Sequence, residues 1–95
     1  MSIEGLEYNR TSLTLTCTTS GRPVHSITWL KDGTEVGTEF SQAQTITNAL
    51  SATYQHTLIS GDIANLVGSF TCEVGDAEGR TVSRTLRLNG TEIFF

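Results

Sequence analysis

The sequence predicts an all-β domain of antiparallel strands, and three observations carry that reading. Apolar and polar residues alternate with period two through much of the chain, and Gly, Asp, Asn and Ser separate the alternating runs. Thr stands at 16 positions and Ser at nine, against one proline, a composition that favours strands and turns. No helical repeat competes with the alternation. At 95 residues the chain can build one core but not a second, so residues 1–95 read as a single domain. Its core is placed over about 3–89, with 90–95 as a tail or the start of a linker.

The first clear strand sets Leu13, Leu15 and Cys17 on one face and Ser12, Thr14, Thr16 and Thr18 on the other. In the next, Ile27 and Trp29 alternate with Thr28 and Leu30 until Asp32-Gly33, a tight-turn pair, ends the run. The stretch from Thr34 to Leu50 is polar, with Val36, Phe40 and Ile46 as isolated apolar anchors, and is expected to hold short edge strands at most. Tyr54, His56 and Leu58 then alternate with Thr53, Gln55 and Thr57 up to the breaker Ser60-Gly61-Asp62. Phe70, Cys72 and Val74 form the next inward set, and Gly75 to Gly79 turns the chain into a last strand from Val82 to Leu88.

That last strand holds a conflict. Strict alternation puts Arg84 on the same face as Val82, Leu86 and Leu88, where an unpaired charge would be costly. A β-bulge between Val82 and Leu86 is the favoured resolution; the other is a position at the sandwich margin from which the guanidinium reaches water.

Cys17, Trp29 and Cys72 each fall on a core face. With Ser20-Gly21-Arg22-Pro23, Ile27 through Gly33, and Gly68 through Gly79, they make the chain resemble the intermediate set of the immunoglobulin superfamily. The resemblance covers most of the sequence. It implies a two-sheet antiparallel Greek-key sandwich, a disulfide between Cys17 and Cys72, and Trp29 as the core tryptophan packed on it. Such a bond would restrict the unfolded chain by ~4 kcal/mol. Two positions depart from the family pattern: Phe70 stands where tyrosine is usual, removing a hydrogen bond worth roughly 1 kcal/mol, and Leu66 stands where aspartate is common. Ile63 or Leu66 is expected to plug the bottom of the sandwich.

A net charge of −4 offers no continuous positive surface for a phosphate backbone, so nucleic acid is not expected as a partner. No apolar run reaches the ~18 residues of a membrane span, and no signal peptide opens the chain. Direct membrane insertion is therefore not expected, and targeting or anchoring segments would lie outside this sequence. His25 and His56 are not at zinc-site spacing, no motif activates any serine, and neither metal, cofactor nor catalysis is implied.

Asn9-Arg10-Thr11 and Asn89-Gly90-Thr91 fit the N-glycosylation pattern and favour an extracellular setting, in which the disulfide would form. Asp76 to Gly79 reads as a turn rather than an acidic recognition loop. Arg80, Arg84 and Arg87 would make a basic strip only if they shared a face. Ile93-Phe94-Phe95 could continue towards a neighbouring module. The resemblance then implies an extracellular module of a cell-surface receptor or adhesion protein, with a receptor tyrosine kinase ectodomain among the candidates. It would sit beside further immunoglobulin-like domains and either contact protein, a ligand or another copy of itself, or serve as a structural spacer. The alternative is an intracellular sarcomeric or cytoskeletal module with a scaffolding role and reduced cysteines.

Overall fold

A computed structural model of the chain describes residues 1–21 and 23–88. Eight strands form two antiparallel four-stranded sheets. The strands are β1 (Ser2–Asn9), β2 (Thr14–Ser20), β3 (Ser26–Lys31), β4 (Thr34–Glu35), β5 (Phe40–Asn48), β6 (Thr53–Ser60), β7 (Gly68–Gly75) and β8 (Thr81–Leu88). One sheet has the order β1-β2-β6-β5 and the other β4-β3-β7-β8, the crossed connectivity of a Greek-key sandwich.

The core follows from the alternation. Leu15, Cys17, Trp29, Leu58, Phe70, Cys72 and Val74 project between the sheets and are buried, which at roughly 1.5–3 kcal/mol per large apolar side chain is the main stabilising contribution. Leu66 closes the bottom of the core with no exposed surface, and Ile63 packs partly buried beside it. Both lie at a 3-10 turn, Ile63–Asn65, capped by the Asp62 carboxylate, which accepts the Ala64 N–H.

The Asp32-Gly33 turn joins β3 to β4 with both residues at positive φ, 52° and 84°, the geometry of a type I′ hairpin. Asp32 also reaches the start of β7, where its carboxylate accepts the Ser69 N–H at 2.9 Å.

Four expectations change. Leu13 packs on the core but lies in the turn before β2, at φ 57°, with its carbonyl accepting the Ser60 N–H. The polar stretch after Thr34 holds not only short strands: β5 runs for nine residues, because its backbone pairs with β6 along its length although only Phe40 is buried. Ile46 is no anchor, being 57% exposed.

Arg84 needs no bulge. β8 pairs with β7 without a register shift, and Arg84, opposite Cys72, is exposed at the sandwich margin beside β1. The bulge lies instead in β1, between Ile3 and Gly5. It moves the inward parity from odd Ile3 to even Leu6 and Tyr8, so no alternation is legible across this strand.

Candidate recognition surfaces

Cys17 on β2 and Cys72 on β7 are joined by a disulfide that ties the two sheets together, with the Cα atoms 6.4 Å apart. Trp29 lies directly across from Cys72 on β3 and is buried. The immunoglobulin-domain family model matches residues 8–89. The chain belongs to the immunoglobulin-domain family. No curated protein matches it.

An immunoglobulin domain presents faces, edges and end loops, and three regions here have the chemistry of contact. The first is the outer face of the β1-β2-β6 sheet, a broad hollow of about 510 Å³ lined by Glu4, Glu7, Thr14, Thr16, Thr18 and Gln55 among others. Its chemistry is carboxylate and hydroxyl. Ser20 and Ser2 donate hydroxyl bonds to Glu4, the latter at 2.8 Å, and with the nearby positive charge of Arg84 these bonds hold the Glu4 carboxyl below its ordinary range.

The second is a cleft of about 150 Å³ that opens between the sheets, lined by Ile27, Trp29, Gln42, Ala43, Gln44 and His56. It exists because β4 covers only Leu30 and Lys31, leaving the inner side of β5 without an opposing strand among the described residues. His56 forms its floor. Its Nε2 lies 3.2 Å from the Thr19 hydroxyl, its ring stacks on Tyr54 at 6.1 Å, and burial pushes its pKa down, so the imidazole is neutral. The Thr19–His56 pair was not legible in the sequence; Thr19 continues the inward parity of Leu15 and Cys17, which is the one signal that could have found it.

The third is the end of the domain that carries Asn9. This asparagine is exposed at the end of β1, and its Oδ1 accepts the backbone N–H groups of Thr11 and Ser12 at 2.9 and 3.2 Å. The amide nitrogen stays outside that hydrogen-bond pair. Asn89 and the Ile93-Phe94-Phe95 tail lie outside the described residues.

Other sequence candidates resolve differently. The Asp76 carboxylate accepts the N–H groups of Glu78 and Arg80 at 2.9 and 3.1 Å and pairs with the Arg80 guanidinium at 3.1 Å, so it shapes the β7–β8 turn. Arg80, Arg84 and Arg87 form no strip: Arg80 contacts Asp76 and Glu78, while Arg84 and Arg87 have opposite parity on β8. His25 is exposed before β3, where its N–H donates to the Gly75 carbonyl.

At Phe70 the missing tyrosine hydroxyl has a substitute from another strand. The Lys31 ammonium donates to the Asn65 carbonyl at 3.0 Å and sits 5.9 Å from the Phe70 ring centre, tying the corner before β7 to β3.

Proposed function

We propose that this immunoglobulin domain is an extracellular, intermediate-set module of a cell-surface receptor or adhesion protein, and that it works by protein contact rather than catalysis. The observation that carries the reading is the Cys17–Cys72 disulfide, since such bonds persist in oxidising compartments and are rare in the cytosol. Asn9 adds support as an exposed glycosylation acceptor at a strand end. The intermediate-set reading is favoured by the short β4 and by the direct run from β4 to β5, with no further strand between them among the described residues.

A disulfide-tied sandwich presents side chains with little ordering cost on binding. The hydroxyl and carboxylate hollow on the β1-β2-β6 face suits a partner surface rich in hydrogen-bond donors. Expression in a secretory host, followed by glycan mass and thiol counting, tests the compartment. A product with both cysteines oxidised and a glycan at Asn9 supports the proposal. A product with two free thiols and no glycan at Asn9 or Asn89 sinks it in favour of the intracellular scaffolding module.

A further inference from the structure

Three of the four sheet edges are blunted, and one is not. β4 offers only two residues. β1 carries Glu4, Glu7 and the bulge at Ile3, and lies against β8 at the sandwich margin. β8 carries Arg84 and Arg87. Charges, bulges and short length are the devices that keep strand edges from pairing with other chains. β5 uses little of this protection: Phe-Ser-Gln-Ala-Gln-Thr-Ile-Thr-Asn runs nine residues without a charge or a proline. Its one irregularity lies at the far end, between Ile46 and Asn48. Among the described residues no strand pairs with its outer side.

The hydrogen-bonding direction of that edge can be read from its neighbours. The Ser60 N–H points to β2, where it meets the Leu13 carbonyl. Along β6, even-numbered residues therefore direct their backbone groups to β2 and odd-numbered ones to β5. Ile59, Thr57 and Gln55 are paired with Ser41, Ala43 and Thr45. Gln42, Gln44 and Ile46 consequently point their N–H and C=O groups away from the sheet. Phe40 agrees with this parity, since its N–H bonds outside β6, to the Gly37 carbonyl.

The edge is also a chemical palindrome. Around Ala43 stand Gln42 and Gln44, then Ser41 and Thr45, then Phe40 and Ile46. Two antiparallel copies centred on Ala43 set amide beside amide and hydroxyl beside hydroxyl, while Phe40, whose ring is buried in its own core, ends the match opposite the Ile46 position of the other copy. Gln42 and Gln44, both with outward backbone groups, then fall opposite each other as a hydrogen-bonded pair. In this register no acid falls opposite another, since Glu39, the nearest, would lie opposite the neutral Thr47; the net charge of −4 on each copy acts only as a longer-range repulsion that salt screens.

We propose that β5 is a self-association edge: a second copy of this chain pairs with it antiparallel about a two-fold axis at Ala43, joining the two β1-β2-β6-β5 sheets into one. The pairing is isologous, so it closes on the dimer. A single strand pair buries less than the ~1,200 Å² of a standard interface, which makes the dimer weak and concentration-dependent. This inference rests on the protein-contact reading above but not on the compartment.

Sedimentation equilibrium over a concentration series tests it. The natural chain is expected to show a monomer–dimer equilibrium. Ala43 is exposed on the outer face, and in the proposed register the two copies of residue 43 are direct cross-strand neighbours. Ala43→Lys and Ala43→Asp should each weaken self-association at least tenfold, and an equimolar mixture of the two should restore dimers. Gln44→Pro removes one outward N–H and should also give monomers, with thermal unfolding confirming the fold of each variant. A natural chain that stays monomeric at its solubility limit overturns the proposal, as does undiminished self-association of the folded Ala43→Lys and Gln44→Pro variants. Failure to restore dimers in the mixture overturns the Ala43 register. None of these results alters the glycan and thiol measurement, so the two readings fail separately.

Discussion

The Asp32 carboxylate accepts the Ser69 N–H at 2.9 Å, while the Asp32 N–H donates to the Ser69 carbonyl at 2.8 Å, so the β3–β4 turn is bolted to the first residues of β7. Asp32→Ala removes the charge-assisted bond and should cost about 1.5–3 kcal/mol in urea denaturation, with Asp32→Asn retaining part of it. Gly68, at φ +130°, sits against the same carboxylate, and a Cβ there would stand 2.8 Å from an Asp32 oxygen. Gly68→Ala should therefore cost about 1–3 kcal/mol through backbone strain and more through the clash. The double variant should be less unstable than the sum, because removing the carboxylate removes the clash but not the strain.

Lys31 is the only lysine in the chain, and its value lies in where its ammonium ends. Lys31→Met keeps most of the stem but loses the bond to the Asn65 carbonyl and the contact with the Phe70 ring. A loss of roughly 1 kcal/mol is expected by chemical denaturation. Because the acceptor is a neutral carbonyl, the loss should vary little with salt.

The buried imidazole of His56 gives stability a pH dependence of definite sign. Burial lowers its pKa in the folded chain below the ordinary 6.5, while the unfolded chain keeps the ordinary value. Well above pH 6.5 both states are neutral and nothing is lost. As the pH falls through that value the unfolded state takes up a proton that the folded state refuses, so stability declines by at most about 1.4 kcal/mol per pH unit. Melting curves from pH 7 down to 5 should show the decline, and His56→Phe should remove it. Glu4 acts lower: its carboxyl is held below the ordinary 4.5, so its contribution is present above that pH and is lost on further acidification.

Breaking the link between Cys17 and Cys72, by reduction or by a Cys17→Ala/Cys72→Ala double variant, should lower stability by about 2–5 kcal/mol. Melting with and without reductant measures the loss directly. The double variant should be insensitive to reductant.

Legibility in the sequence followed the strength of the alternation. β2, β3, β6 and β7 each bury one face against the other sheet, so their apolar residues recur every second position and mark the inward set by themselves. The plug was readable only as Ile63 or Leu66; burial separates them, with Leu66 fully enclosed and Ile63 partly buried beside it. β1 hid behind its bulge, which reverses parity between Ile3 and Leu6. β5 hid because among the described residues no opposing strand covers most of its inner side: Gln42, Gln44 and Ile46 face inward by register yet meet solvent, and selection for an apolar set is absent there. The Arg84 conflict came from treating the margin as core; a residue opposite Cys72 faces the core only where another strand covers it.

The recognition surfaces were less legible than the scaffold. Asn9 is a local pattern and needs no fold to be found. The cleft floored by His56 joins residues from β3, β5 and β6 and depends on how short β4 is, a quantity no single segment encodes.

The disulfide also bounds how far the domain can lengthen under load. β1 begins opposite Ser20 and β8 ends opposite Gly68, so a pull on the two terminal strands acts along the 40 Å axis of the molecule. Even with every strand torn free, the 55 residues of separation between Cys17 and Cys72 cannot be drawn out. That segment holds roughly 190 Å of extended chain. An oxidised domain thus yields only the slack outside the loop, whereas a reduced one would release the whole contour, and force spectroscopy would report its redox state as a length.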